Sequence, residues 1–86
     1  MTSDDKTNAS QIQHRIKQVM ATVFKVPIDE ILDEASAHSL SNWDSLNHFN
    51  LVTSLEKEFK IRLEDDEIAT LTTYKMIVNT VLAHLE

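Results

Sequence analysis

The sequence predicts an all-α protein: a small antiparallel four-helix bundle with three long helices, one short helix and a long loop between the first two. Two observations lead to this fold class. The chain contains no glycine and one proline, whereas the tight turns of β-hairpins depend on glycine beside asparagine or aspartate. Hydrophobic residues make up 42% of the chain but aromatic residues only 6%, so aliphatic side chains must form most of the core, which suits packed helices.

The length of 86 residues corresponds to one domain, which buries roughly 60–65% of the surface of its unfolded chain. Residues 1–8 are polar and show no apolar periodicity, so we expect a flexible N-terminal tail there. The folded domain is then predicted to span residues 9–86.

The first helix is predicted from Ala9 to Phe24. Its apolar residues follow steps of three and four and form one buried stripe, which consists of Ile12, Ile16, Val19, Met20, Val23 and Phe24. Pro27 ends this helix, because proline clashes with a preceding helical turn. Pro27 can also open a single helical turn through Leu32, and Ile28, Ile31 and Leu32 are expected to pin the loop to the core.

The second helix is predicted to begin at Asp44 or Ser45, because side-chain oxygens of both types accept hydrogen bonds from the free N–H groups of a first helical turn. It continues to Phe59. The residues expected in the core are Phe49, Val52, Leu55 and Phe59, with Leu46 and Leu51 at the edges of the stripe. Lys60 follows at the position directly after the helix, where glycine is preferred.

A short extended link at residues 61–63 leads to a short third helix. The acids of residues 64–67 begin this helix, where they interact favourably with the helix dipole, and it is predicted to end near Ala69. Thr72 or Thr73 caps the last helix. Its inner side carries Tyr74, Ile77, Val78, Val81, Leu82 and Leu85.

The chain has 14 acidic and 8 basic residues and a formal net charge of −6. This charge repels nucleic-acid phosphates and anionic membranes and favours partner proteins with basic patches. Cysteine is absent, which is typical of a protein of the reducing cytoplasm. No apolar run reaches the length of a transmembrane helix. We therefore expect a cytoplasmic monomer that binds neither nucleic acid nor membranes.

The order of the segments is the most specific feature of the sequence. A long helix and a long loop precede Asp-Ser-Leu at residues 44–46, and the next helix ends in Leu-Glu-Lys-Glu-Phe at residues 55–59. An acidic short helix, Thr-Thr at residues 72–73 and a final helix complete the pattern. From about residue 12 to residue 85, the chain resembles the acyl carrier proteins in this arrangement.

The resemblance implies that Ser45 carries a 4′-phosphopantetheine arm transferred from coenzyme A, and that the protein is a carrier rather than an enzyme. It would be the substrate of a phosphopantetheinyl transferase and serve acyl-loading, synthase and acyltransferase enzymes of fatty acid or polyketide biosynthesis. Asp44 would orient the serine or the Mg²⁺ used by the transferase, although helix capping explains Asp44 equally well. Leu46 would form part of an apolar rim that partners contact.

Ser45 also suits this role on physical grounds alone. A serine on the first exposed turn of a helix offers its hydroxyl to an incoming enzyme. A phosphodiester formed there would lie close to unpaired N–H groups and to the positive end of the helix dipole.

Several positions of the second helix differ from the carriers of fatty acid synthesis, in which acids are common near its start and end. Asn47, Asn50 and Lys57 stand at such positions here, which indicates a carrier of a specialised pathway. The residues predicted to contact partner enzymes are Trp43, Asn47, Asn50, Thr53, Glu56 and Lys57. For Trp43, packing over the helix start is the alternative.

An inducible cleft for an acyl chain could lie between the second, third and last helices. Its lining would comprise Phe49, Val52, Leu63, Ile68, Leu71 and Tyr74. Apolar residues at helical spacing more often form plain core, so cleft and core are both open interpretations.

His48 lies three residues after Ser45, a spacing that invites a serine–histidine catalytic interpretation. A triad also needs a third group and an oxyanion hole, so we interpret His48 as a solvated helix histidine and predict no catalytic residue. The histidines and the acidic clusters at 29–34 and 64–67 lack metal-ligand spacing, and no metal site is predicted. The functional alternatives are an aminoacyl or peptidyl carrier and a small acidic interaction adaptor without a prosthetic group.

Overall fold

The computed structural model describes residues 9–85 as a bundle of four α-helices. Their bounds are Ala9–Phe24 for α1, Ser45–Phe59 for α2, Asp65–Thr70 for α3 and Tyr74–Leu85 for α4, with a 3-10 turn at Ile28–Glu30. Within residues 9–85, extended pairing is limited to an isolated antiparallel bridge between Ser36 and Thr73. The prediction of an all-α fold is confirmed. The predicted tail at residues 1–8 lies outside the described residues.

α1 and α4 bury the sides that their apolar stripes predict. The buried residues are Ile12, Ile16, Met20 and Phe24 in α1, and Tyr74, Ile77, Val78 and Val81 in α4. The other members of the two predicted stripes, Val19, Val23, Leu82 and Leu85, are partly buried and pack against this core. The spacing of four residues in α1 places its buried side chains on one side of the helix, which faces α2 and α4.

α2 turns a different side to the core from the one predicted. It buries Leu51, Val52, Leu55 and Phe59, whereas Phe49 is 68% exposed. Successive residues of an α-helix are rotated by about 100°, so a stripe centred on Leu51 and Leu55 leaves Phe49 on the outer side. The prediction of Phe49 as a core residue and Leu51 as an edge residue is therefore wrong.

α1 and α2 end in the same way, on a lysine with left-handed backbone geometry. Lys25 has a φ of 59° and Lys60 a φ of 56°. In both cases the N–H of the next residue bonds to a carbonyl at the end of the helix, from Val26 to Ala21 at 3.1 Å and from Ile61 to Glu56 at 3.2 Å. This is the Schellman motif, in which glycine usually holds the left-handed position. The left-handed backbone of Lys60 agrees with the prediction that the position directly after α2 favours glycine.

The long loop between α1 and α2 is attached to the core and to the start of α4. Ala35 is buried in the core. The carbonyl of Ala35 accepts the N–H of Tyr74 at 2.9 Å, and the N–H of Ala37 donates to the carbonyl of Thr72 at 3.0 Å. The loop therefore runs antiparallel to the segment before α4 and is ordered by it.

The 3-10 turn at Ile28–Glu30 confirms a helical turn after Pro27, but it ends before Leu32, its predicted last residue. Of the three residues expected to pin this turn, Ile31 is 1% exposed and Ile28 is half-buried, but Leu32 is 58% exposed. Ile31 closes the turn through a bond from its N–H to the carbonyl of Ile28 at 3.0 Å. The turn thus directs Ile31 inward and leaves Leu32 in solvent, and Leu32 is not an anchor.

α3 has six residues and buries none of its own side chains. A capping box forms its start, in which Glu64 accepts from the N–H of Glu67 and Glu67 accepts from the N–H of Glu64 at 2.9 Å. The carboxylate of Glu67 also lies 3.0 Å from Nε2 of His84 on α4. Hydrogen bonds and an ion pair, rather than buried side chains of its own, thus hold the first turn of α3.

Lowering the pH is expected to weaken the contribution of Glu67. The N–H of Glu64 and the side chain of His84 hold the pKa of the Glu67 carboxyl below its ordinary value of 4.5. Because the fold favours the ionised form, this carboxylate adds stability above pH 4.5, and the contribution is lost as the pH falls through the lower pKa of the folded state.

Urea unfolding of the wild-type chain and Glu67→Gln measures this effect. The difference in unfolding free energy should be present at neutral pH and shrink at a pH well below 4.5. A difference that is equal at both pH values would show that ionisation of Glu67 is not its cause.

Candidate functional site

Ser45 is the first residue of α2 and is exposed to solvent. Its neighbour Asp44 is the N-cap: the backbone of Asp44 is extended, and its Oδ1 accepts the N–H of Asn47 at 2.9 Å. The carbonyl of Asp44 accepts the N–H of His48 at 2.8 Å. Asp44, and not Ser45, is therefore the cap of α2. Neither of these two bonds involves the hydroxyl of Ser45.

Three asparagine side chains connect the turn before Ser45 to the rest of the molecule. Nδ2 of Asn42 donates to the carbonyl of Phe24, at the end of α1, at 2.7 Å. Nδ2 of Asn47 donates to the carbonyl of Asn42 at 2.9 Å, and Nδ2 of Asn50 donates to Oδ1 of Asn47 at 3.2 Å. Asn47, a predicted partner contact, therefore uses its amide inside the molecule, where it helps to position the start of α2.

Trp43 is a core residue beneath this turn and is only 7% exposed. Its ring packs against Phe24 with centroids 5.1 Å apart, and its Nε1 donates to Nδ1 of His48 at 3.0 Å. The prediction of Trp43 as a surface contact for partner enzymes is wrong, because the buried ring presents little surface. The alternative, an aromatic side chain packed over the helix start, is confirmed.

His48 bridges two elements with the two nitrogens of its ring. Nδ1 accepts from Trp43, and Nε2 lies 2.9 Å from the carbonyl of Ile68 in α3. The interpretation of His48 as a solvated histidine is therefore wrong, since the ring is half-buried and bonded on both sides. The sequence does contain a signal for this burial, because His48 precedes Leu51 and Leu55 by three and seven residues and so shares the inner side of α2 with them.

The outer side of α2 carries Leu46, Phe49, Asn50, Thr53 and Lys57, all of them exposed. Leu46 is 70% exposed, as an apolar rim beside Ser45 requires. Glu56, also predicted to contact partners, is half-buried, and its Oε2 accepts the N–H of Leu63 at 2.8 Å. Lys57 is thus the one charged side chain among these five outer residues.

A depression of about 540 Å³ opens beside Ser45. It lies between the long loop, the first turn of α2 and the end of α3. Its lining residues are Ala37, Trp43, Asp44, Ser45, His48, Ala69 and Thr72. An organic group attached to the hydroxyl of Ser45 therefore has a concave surface next to its point of attachment.

The residues predicted to line an acyl cleft do not line this depression. Val52, Leu63, Leu71 and Tyr74 are buried in the main hydrophobic core, and Ile68 packs against that core. Phe49 lies outside it, on the surface. The prediction fails for Phe49, while the other five positions are core residues in the described arrangement.

The position of Ser45 suits a covalently attached phosphate ester. α2 is 15 residues long, and the free N–H groups and positive dipole of its first turn favour a negative charge near its start.

Within residues 9–85, no group of three or more histidine, cysteine or acidic side chains is placed to hold a metal ion. Among the described helices, none has the length and apolar character needed to cross a membrane.

Comparison with known protein families matches residues 14–81 to the family described as "Phosphopantetheine attachment site". The matched region covers most of the chain. It begins in α1, includes the whole of α2 and α3, and ends in α4. The depression beside Ser45 lies entirely within the matched residues.

Proposed function

The chain belongs to the phosphopantetheine attachment family, and we propose on this premise that Ser45 is the residue that receives the arm. Domains of this family carry 4′-phosphopantetheine covalently and are not catalysts themselves. The observation that carries the assignment is the exposed hydroxyl of Ser45 at the first position of α2. A modifying enzyme can reach it without unfolding any part of the helix.

The surroundings of Ser45 support its modification. Oδ1 of Asp44 caps the helix, and its carboxylate is exposed beside the serine, where it is available to orient the hydroxyl or the Mg²⁺ of a transferase. The phosphodiester that joins the arm to Ser45 would be stabilised by the N–H groups of the first turn. Leu46 offers an exposed apolar surface next to the site.

The protein then acts as an acyl carrier, and its residues hold and present a group whose chemistry lies elsewhere. When attached, the arm supplies a thiol that binds acyl groups as thioesters, which the cysteine-free chain itself lacks. We place this carrier in a specialised acyl or polyketide pathway of the cytoplasm. Asn47, Asn50 and Lys57 stand at positions of α2 where carriers of fatty acid synthesis often have acids, which supports a pathway distinct from general fatty acid synthesis.

Carrier domains of this family work with phosphopantetheinyl transferases and synthase enzymes. For this chain we propose such enzymes, and acyl-loading and acyltransferase enzymes, as partners of a monomeric carrier. The net charge of −6 favours enzymes with basic patches. Because the outer side of α2 carries only Lys57 as a charge, the basic patches would meet the acids at residues 29–34 and 64–67 instead.

Arm transfer from coenzyme A tests the proposal directly. The purified chain is incubated with coenzyme A, Mg²⁺ and a broad-specificity phosphopantetheinyl transferase, and its intact mass is measured. We expect the mass of one arm to be added and fragmentation to place it on Ser45. An unchanged mass, as for an interaction adaptor, or an arm on another residue, would overturn the assignment. The mass of the protein isolated from its own cells would identify the cargo.

A further inference from the structure

The two bonds of His48 determine where the proton of its ring lies. The indole N–H of Trp43 can only donate, so Nδ1 of His48 must be an unprotonated acceptor. The carbonyl of Ile68 can only accept, so Nε2 must carry the proton. The geometry therefore fits one form of the side chain, the neutral imidazole with its proton on Nε2.

Neither other form of the ring satisfies both partners. The other neutral tautomer would point an N–H at the N–H of Trp43 and a lone pair at the carbonyl oxygen of Ile68. The doubly protonated ring would keep the bond to Ile68 but lose the bond from Trp43. Two partners from different parts of the chain thus select one tautomer.

These bonds join the turn before α2 to α3, next to the depression beside Ser45. Trp43 belongs to the turn before α2, and Ile68 belongs to α3, which buries no side chain of its own. The residue after Ile68 is Ala69, which lines the depression, as His48 itself does. The bond between His48 and Ile68 is thus one of the contacts that fix the end of α3 beside the depression, together with the packing of Ile68 against the core.

We propose that His48 is a positioning residue that, as its Nε2–H tautomer, holds the end of α3 against the first turn of α2 and so shapes the seat of the arm on Ser45. This role rests on the proposed function, because it requires the arm at Ser45. Ala69 and Thr72 line the depression on the side of α3, and an arm on Ser45 would contact them there. His48 acts on the arm through the position of α3 and takes no part in a reaction.

The first experiment uses the chain before arm attachment. Long-range ¹H–¹⁵N correlation spectra report which ring nitrogen of a histidine is protonated, and we expect His48 to be the Nε2–H tautomer at neutral pH. Trp43→Phe keeps an aromatic ring but removes the donor, and it should allow the second tautomer to appear. A wild-type ring that is doubly protonated, protonated on Nδ1 or a mixture of tautomers would overturn the proposal.

The second experiment compares the chain before and after arm attachment. In the wild type, attachment should shift the amide resonances of Ala69 and Thr72. His48→Leu fills the same space without either hydrogen bond and should lose these shifts. Exchange of the indole proton of Trp43 should become about tenfold faster, as expected for the loss of one hydrogen bond. His48→Gln, whose amide offers both an acceptor and a donor, should restore the wild-type behaviour.

His14→Gln is the matched control, because His14 is exposed on α1 and this change should leave the shifts at Ala69 and Thr72 intact. Wild-type shifts in folded His48→Leu would overturn the role of His48 and leave the proposed function standing. A wild-type chain that accepts no arm would overturn both. The tautomer measurement needs neither the arm nor a variant of His48, so it decides the first half of the proposal by itself.

Discussion

Ser45→Ala is expected to abolish arm attachment completely while leaving the fold and its stability almost unchanged. The hydroxyl of Ser45 is the proposed acceptor of the arm, and alanine cannot form the phosphodiester. The stability should change by less than about 0.5 kcal/mol, because an exposed side chain is removed and the cap of α2 comes from Asp44. Intact mass after incubation with coenzyme A and transferase measures the first effect, and urea unfolding measures the second.

Two matched variants separate the chemistry of Ser45 from helix capping. Asp44→Ala removes the cap and should cost about 1 kcal/mol while keeping the serine. Ser41→Ala removes another exposed serine hydroxyl just before the site and should accept the arm like the wild type. Arm attachment to Ser45→Ala would refute the assignment, and a larger loss of stability in Ser45→Ala than in Asp44→Ala would show that the cap is wrongly identified.

Leu51→Ala is expected to destabilise the domain by about 2–5 kcal/mol, the usual cost of a cavity left by a buried leucine. Leu51 is completely buried in the core, between α2 and the remaining helices. In a domain of this size each 1 kcal/mol lowers the melting temperature by roughly 4–8 °C, so thermal unfolding followed by circular dichroism detects the change easily.

Phe49→Ala is the matched control for Leu51→Ala, because it removes a larger apolar side chain two residues away. Since Phe49 is 68% exposed, its loss should change the stability by less than about 0.5 kcal/mol. If Phe49→Ala were the more destabilising change, the phase of α2 would be the one first predicted from the sequence. Phe49→Ala should instead weaken contacts made on the outer side of α2.

The apolar stripes of α1 and α4 can be predicted from sequence because they are unambiguous. α2 is harder, since Phe49, Leu51, Val52 and Leu55 support two overlapping stripes, one on each side of Val52. The correct stripe begins at His48, and a histidine argues against burial unless its partners are known. Those partners, Trp43 and Ile68, come from other elements and cannot be inferred from helical periodicity.

At the site, too, local features can be predicted from the sequence, whereas contacts between distant segments cannot. Asp44 and Ser45 are predictable because an N-cap is a local property of the chain. The bond from Asn42 to the end of α1 spans 18 residues, and no local pattern foretells it. The same holds for the depression beside Ser45, whose walls come from three separate segments. The sequence therefore indicates the proposed attachment residue better than it indicates the surface around it.

Glycine in place of the left-handed lysines at the ends of α1 and α2 is expected to stabilise the domain. The left-handed conformation destabilises a residue with a Cβ by roughly 1–2 kcal/mol, and glycine avoids most of that strain. Lys60 stands at the opposite end of α2 from Ser45. A single change there could compensate a destabilising change on the outer side of α2, so that side can vary in sequence without loss of the fold.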